Sequence, residues 1–190
     1  MNSHISLSPH FELREFVVSQ TARDHGLDNT PPAEAVENLR ALCVHTLEPL
    51  REALGLPIII TSGYRSKALN DRITHHSSTS QHMNGEAADF YVGQGPVSGV
   101  KSQVSGNHLE LETGESPMKL ETNSRRELLI KAFRQIITDD SIAFDQCIIY
   151  PSFIHVSYVR SGRKNRSKLT RAFSNGSYAA LTRAQALALL

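Results

Sequence analysis

The stretch Ser80-Gln81-His82-Met83-Asn84-Gly85-Glu86-Ala87-Ala88-Asp89 holds the most informative pattern in this chain of 190 residues. We expect His82 on a loop and Asp89 in the strand that follows, because Gly85 between them allows a tight turn. The small residues Ala87 and Ala88 let that strand approach its neighbours closely. Imidazole and carboxylate are both good zinc ligands. The stretch therefore predicts two ligands of a metal site.

A third ligand is predicted further along the chain. His155 stands in the apolar strand Phe153-Ile154-His155-Val156, where an unpaired polar side chain would be costly. Three protein ligands are typical of a catalytic zinc, whose fourth position is left to water. From spacing alone, a structural histidine with a hydrogen-bond partner stays open as the alternative.

Composition excludes several other classes of protein. The chain has 20 basic and 19 acidic residues, a net charge of +1, so no overall field attracts nucleic acid and no nucleic-acid partner is expected. Two cysteines exclude a disulfide scaffold and a four-cysteine zinc site. The first ten residues do not resemble a signal peptide, and no apolar stretch is long enough to span a membrane. We expect a monomer that is made in the cytoplasm.

The pattern of apolar residues predicts an α+β fold, with a small antiparallel sheet and helices packed on it. The predicted elements are strands at 57–61, 87–92, 144–150 and 153–158, and helices at 31–54, with a kink or break at Pro49, and at 124–137. Residues 93–124 hold five of the eleven glycines and are interpreted as an insertion with a hairpin near 109–112. A single domain at 8–160 is predicted. Residues 161–190 are predicted to form a basic tail, with a possible C-terminal helix.

Three motifs in this order resemble the zinc D-Ala-D-Ala carboxypeptidase family. They are Ser-x-His-x-x-Gly-x-Ala-x-Asp at residues 80–89, the earlier Ser62-Gly63-Tyr64-Arg65-Ser66, and the later His155-Val156-Ser157. Relatives of this family include D-Ala-D-Ala dipeptidases, phage endolysin endopeptidases and the hedgehog signalling domain. The resemblance covers residues 8–92 and 125–160, and it implies a hedgehog-like zinc domain.

The resemblance also implies roles for individual residues. It implies zinc as cofactor, with His82, Asp89 and His155 as ligands. It implies Arg65 as the cation that polarises the scissile carbonyl, which suits a guanidinium because it is always charged and has fixed donors. Ser80 resembles a position that hydrogen-bonds the substrate. Tyr64 is a second substrate-binding candidate, with packing in the core as its alternative.

The sequence departs from the family at Ser152. Active members carry an aspartate or glutamate three residues before the last histidine, and this carboxylate takes a proton from zinc-bound water. A serine hydroxyl is not a competent base, so three alternatives follow. Asp145 or Glu86 takes over as the catalytic carboxylate, or the zinc-bound hydroxide acts alone at a loss of about 10²–10⁴ in rate, or the domain binds a cell-wall peptide without cutting it.

The sequence as a whole therefore predicts a zinc-dependent peptidase that acts on peptidoglycan peptides, as a carboxypeptidase or an endopeptidase. Asp145 is its candidate base. The alternative is a zinc-containing cell-wall-binding module that lacks the acidic base. A third hypothesis is a structural zinc domain in a phage particle. In either of the first two cases the protein would reach the wall only after release from the cell. The basic run at 160–171 is interpreted as a solvated tail or as a surface that attracts anionic wall groups.

Overall fold

The structure, a computed structural model, describes residues 5–73, 77–93, 117–160 and 162–188. It confirms the α+β class. Strands β1 (Ser6–Ser8) and β2 (Phe11–Glu12) form a small antiparallel sheet. The strands of the second sheet are β3 (Ile58–Ser62), β4 (Ala87–Val92), β5 (Gln146–Ile149), β6 (Ile154–Ser157), β7 (Lys168–Ala172) and β8 (Tyr178–Leu181).

The second sheet has the strand order β3-β4-β6-β5-β7-β8. Neighbouring strands are antiparallel except β5 and β7, which are parallel. The sheet is thus mixed, and it is wider than the sequence pattern predicts. Its additional strands, β7 and β8, come from residues 161–190, which were expected to form a basic tail.

Seven helices are present in the described ranges. They are α1 (Leu13–Val17), α2 (Gln20–Asp24), α3 (Ala33–Leu42), α4 (Glu48–Leu54), α5 (Lys67–Asn70), α6 (Pro117–Thr138) and α7 (Arg183–Ala188). Helix α6 begins inside the stretch interpreted as an insertion. Residues 94–116, including the expected hairpin near 109–112, lie outside the described residues. The division into domains stays a prediction. None of the described helices is both long and apolar enough to cross a membrane.

Just before Pro49, where a kink or break is expected, the chain forms a π-helical turn and continues directly into α4. Residues Cys43–Leu47 form this turn between α3 and α4. Proline has no N–H, so it cannot donate to the carbonyl four residues earlier, that of His45. The His45 carbonyl instead accepts a hydrogen bond from the backbone N–H of Ala143 at 3.0 Å. The wide turn thus fastens this helical segment to the loop before β5.

The two faces of the large sheet have different roles. Phe90 of β4 and Ile154 of β6 are fully buried in the hydrophobic core with Phe133 of α6 and Leu39 of α3. Because side chains alternate along a strand, the neighbours of Phe90 and Ile154 point to the other face. The core packing therefore presents Asp89 on the face opposite the core.

Candidate metal centre

His82 is oriented by the loop that follows β3. It lies in a 3₁₀ helix, Gln81–Asn84, and its Nδ1 is 2.7 Å from the carbonyl oxygen of Gly63. A carbonyl oxygen only accepts, so Nδ1 carries the proton and Nε2 keeps a free lone pair. The backbone N–H of Arg65 donates to the carbonyl of His82 at 3.1 Å. These two hydrogen bonds fix the imidazole with its unprotonated nitrogen towards the sheet.

Two glycines allow the chain to pack this closely. A Cβ atom at Gly63 would lie 2.6 Å from backbone and side-chain atoms of Phe16. Gly85 ends the 3₁₀ helix with a φ of +70°, and a Cβ there would collide with the backbone of Ala35. Only glycine avoids both the collision and the left-handed strain. Gly85 therefore positions His82 and the start of β4 relative to α3.

The other two candidate ligands come from adjacent strands. Asp89 of β4 is paired directly with His155 of β6, so both side chains stand on the same face of the sheet. Oδ1 of Asp89 lies 2.8 Å from Nδ1 of His155 and 3.3 Å from Nε2 of His82. The two imidazole nitrogens are 3.2 Å apart. One carboxylate oxygen and two ring nitrogens thus meet at one point.

This arrangement fits a metal ion. The group formed by His82, Asp89 and His155 could hold one, since a ligand atom from each lies within 4.8 Å of the others. Ligands about 2.0–2.2 Å from a tetrahedral zinc would be about 3.4 Å from one another. The separations in the structure are therefore close to those of zinc ligands. The donor set of two imidazoles and one carboxylate is also one that zinc uses in catalytic sites.

Electrostatics favour the protonation states that ligands need. Burial lowers the pKa of His82, despite the opposing effect of Asp89, and so favours the neutral imidazole. Burial alone would raise the pKa of Asp89, but its close contacts with His82 and His155 outweigh burial and hold that pKa low. A neutral imidazole and an ionised carboxylate are the forms that bind metal.

Arg65 lies beside the metal-binding group. Its Nη2 is 3.0 Å from Oδ2 of Asp89, and its Nε donates to Oγ of Ser62 at 3.1 Å. The side chain is only 14% exposed. Its Nη1 has no hydrogen bond to any described residue. The guanidinium thus neutralises the outer oxygen of the ligand carboxylate and keeps donors for another group.

Comparison with known families places most of this region in one family. The family described as Peptidase M15 matches residues 9–113, more than half of the chain. The chain belongs to the M15 family, the zinc D-Ala-D-Ala carboxypeptidases. The match contains His82 and Asp89 and ends before His155, which the sheet brings to them. Comparison with curated proteins found no match.

The two residues predicted to bind substrate occupy different environments in this M15 protein. Ser80 is half-buried and immediately precedes the 3₁₀ helix, and its hydroxyl makes no capping hydrogen bond there. Tyr64 is buried in the hydrophobic core, and burial raises its pKa. These environments favour a contact role for Ser80 and packing for Tyr64, and both substrate-binding assignments stay predictions.

The carboxylates considered as replacement bases are both held by arginines. Asp145 is 2% exposed, and it accepts hydrogen bonds from the Arg166 side chain and backbone N–H and from Nε2 of Gln81. Nη2 of Arg163 contacts both oxygens of Glu86, at 3.0 and 3.1 Å. These contacts favour structural roles, although the assignment of Asp145 as base stays a prediction.

The same contacts give part of the basic run a structural function. Arg163 and Arg166 pair with buried carboxylates, and Nε of Arg160 donates to Oδ1 of Asn38 at 3.1 Å. Sequence reasoning missed these pairs because the partners are distant in sequence. The available signal was the coincidence of a basic run with acidic residues at the starts of apolar strands.

Ser152 does not provide the base expected in M15 peptidases. It is exposed in the turn between β5 and β6, next to Pro151. In the described residues, no carboxylate besides Asp89 joins the two histidines in the metal-binding group. The structure thus leaves the base position without an acidic side chain from this turn.

Proposed function

We propose that this protein is a zinc-dependent peptidase that hydrolyses peptides of peptidoglycan. Membership of the M15 family supports peptidase chemistry on a peptide substrate. The observation that carries the zinc assignment is the convergence of His82, Asp89 and His155 at separations suited to that ion. D-amino-acid-containing or cross-bridging peptides are the proposed substrate class, in keeping with the family.

Each residue of the centre then has a specific part. The zinc would be held by His82, Asp89 and His155. When bound, it acts as a Lewis acid and lowers the pKa of its water to about 7. Arg65 is oriented by Asp89 and Ser62, and its remaining Nη1 donors would bind the carbonyl oxygen of the scissile bond as negative charge develops there.

A second candidate function is a zinc-containing cell-wall-binding module that does not cut. Ser152 stands where the family base is expected, and Asp145 and Glu86 are both paired with arginines. Without a positioned base, proton transfer would lose about 10²–10⁴ in rate. The contacts of these carboxylates therefore favour a slow enzyme or a binder over a fast peptidase.

Metal analysis and a hydrolysis assay test the proposal together. The purified protein should contain about one zinc per chain, and incubation with purified peptidoglycan should release new free amines. His82→Ala should abolish both zinc binding and amine release. His25→Ala is the matched control, because this exposed histidine follows α2 and is not part of the metal-binding group. Zinc without amine release would support the binding module, and absence of zinc from the natural protein would overturn both candidates.

A further inference from the structure

A row of aromatic residues lies next to the metal-binding group on the same face of the sheet. Ile148 of β5 pairs with His155, and Tyr150 follows it by two residues. Because side chains alternate along a strand, Tyr150 shares the face of Ile148 and His155. The continued register places Tyr150 beside Ala172, which pairs with Tyr178 of β8.

The members of this aromatic row contact each other directly. The rings of Tyr150 and Phe153 are stacked, with centroids 4.2 Å apart and planes 12° apart. The rings of Tyr150 and Tyr178 meet edge to face at 6.1 Å, and their hydroxyl oxygens are 3.2 Å apart. The row is therefore packed in one arrangement, although its outer member, Tyr178, is 59% exposed.

The hydroxyl pair retains a donor for a third group. One hydrogen joins the two oxygens, so the second hydrogen remains available. Tyr178 is the more exposed residue, whereas Tyr150 is half-buried. When Tyr178 donates to the Tyr150 oxygen, the Tyr150 hydroxyl hydrogen is available to a third group. Hydrogen bonds linked in this way strengthen one another.

Tyr150 lies within electrostatic reach of the metal centre. Burial, the hydrogen bond with Tyr178 and the charge of Asp89 raise the pKa of Tyr150, while Arg65 opposes them. The hydroxyl therefore stays protonated at neutral pH and remains a donor. Arg65, whose Nη2 contacts Asp89, adds its positive charge to the same region. A hydroxyl donor near a cation favours an anionic acceptor, because hydrogen bonds to a charged group are stronger than those between neutral groups.

We propose that the Tyr150–Tyr178 hydroxyl pair binds the C-terminal carboxylate of the peptide substrate and thereby selects carboxypeptidase over endopeptidase action. This inference rests on the proposed function, since it assigns a substrate terminus to the same site. Phe153 would support it by holding the Tyr150 ring in its stacked position. Tyr150 and Tyr178 are then specificity-determining residues.

The test compares two synthetic peptides that end in D-Ala-D-Ala, one with a free C-terminal carboxylate and one with a C-terminal carboxamide. Natural protein should prefer the carboxylate peptide in kcat/KM. Tyr150→Phe, which keeps the ring, should lower kcat/KM for that peptide by about 10- to 100-fold, mainly through KM, as expected for a lost hydrogen bond to a charged group. For the carboxamide peptide it should change little.

Tyr158→Phe is the matched control. Tyr158 is on the opposite face of β6 by alternation and stacks on His45 at 4.8 Å. The Tyr158→Phe substitution should leave the preference between the two peptides unchanged. Zinc content and Tm identify any variant that fails to fold. Tyr178→Phe removes the other hydroxyl of the pair and should cause a smaller loss of kcat/KM for the carboxylate peptide.

Direct binding separates this inference from the proposed function. Affinity is measured by calorimetry with the zinc-loaded protein, using analogues of both peptides in which the scissile amide is replaced by a methyleneamine link that is not hydrolysed. Tighter binding of the carboxylate peptide, reduced in Tyr150→Phe, supports the inference even if the protein cuts nothing. Equal affinity for both peptides, no measurable binding of either, or an unchanged preference in Tyr150→Phe would overturn it, even if peptidoglycan hydrolysis is confirmed.

Discussion

Asp89 and His155 stand directly opposite each other on β4 and β6, with Oδ1 of the carboxylate 2.8 Å from Nδ1 of the ring. Neighbouring strands are about 4.8 Å apart, so the sheet itself sets the separation of these two ligands. Only His82 comes from outside the sheet, and the 3₁₀ helix that carries it is held by two hydrogen bonds. The centre is therefore preorganised by backbone pairing.

Removal of metal should destabilise the natural protein. With free zinc at about 1,000 times Kd, binding contributes about 4 kcal/mol to the free energy of unfolding. For a chain of this size, this corresponds to a rise of about 8–16 °C in Tm. Calorimetry with and without a chelator measures the difference. The chelator should have no effect on His155→Ala, and an equal effect on both proteins would contradict the ligand assignment.

Replacement of Arg65 by lysine should reduce activity while zinc remains bound. Lysine keeps the charge but loses the fixed fork that contacts Asp89 and Ser62. A kcat loss of about 10²–10³ is expected, as for removal of one oxyanion donor. Steady-state kinetics and metal analysis test this. Arg125→Lys is the control, because Arg125 stacks on Tyr91 at 5.6 Å and, within the described part of the chain, does not contact the metal-binding group or Arg65. Full activity in Arg65→Lys would argue against the assigned role.

An acidic residue at position 152 should restore a missing base. Ser152→Glu places a carboxylate in the exposed turn that precedes His155, and general-base catalysis contributes about 10²–10⁴ in rate. Amine release from peptidoglycan measures the gain. Ser152→Gln, of the same size without the charge, should show none. A natural protein that is already fast, and gains nothing from glutamate, would mean that another group serves as base.

The metal-binding group was largely predictable from the sequence, because its motif has a fixed spacing over residues 80–89 and a separate histidine in an apolar strand. The α+β class followed from local periodicity. The strand pairing of Asp89 with His155 could not be predicted, since register depends on contacts between distant segments.

The C-terminal region was the least predictable part. Residues 168–172 are mostly polar, so local patterning did not indicate a strand, yet they pair with β5 in the sheet. Arginines such as Arg166 are stabilised there by carboxylates far away in sequence. Charge composition alone could not distinguish a solvated basic segment from one that neutralises buried acids.

The pair formed by Asp145 and Arg166 should make stability depend on pH. Burial opposes ionisation of Asp145, but hydrogen bonds from Arg166 outweigh it and lower the carboxyl pKa. Because the pKa of Asp145 is lower in the folded state than in the unfolded chain, its ionisation stabilises the fold. This stabilisation is fully present above the unfolded-state pKa of about 3.9. This contribution is lost as the pH falls through the folded-state pKa.

Asp145→Asn should therefore lower the free energy of unfolding by about 1–3 kcal/mol at pH 7, and the difference from the natural protein should shrink below pH of about 4. Denaturant titrations over this pH range measure it. Asp140→Asn is the matched control, since that carboxylate is 92% exposed beside Arg183. A difference that stays constant down to the lowest pH would show that the charge of Asp145 is not the cause.

Gly85 should tolerate alanine far less well than Gly55, although both have positive φ values of +70° and +63°. No atom of the described residues lies within 4 Å of a Cβ at Gly55, so Gly55→Ala should cost only the left-handed strain of about 1–2 kcal/mol. At Gly85 the added atom also collides with the Ala35 backbone, which should add about 1–3 kcal/mol of overpacking. Denaturant titration measures both costs, and zinc affinity should fall only in Gly85→Ala, because Gly85 ends the helix that carries His82. Equal costs and unchanged zinc affinity in the two variants would mean that α3 moves away freely and that this close approach does not position the ligand.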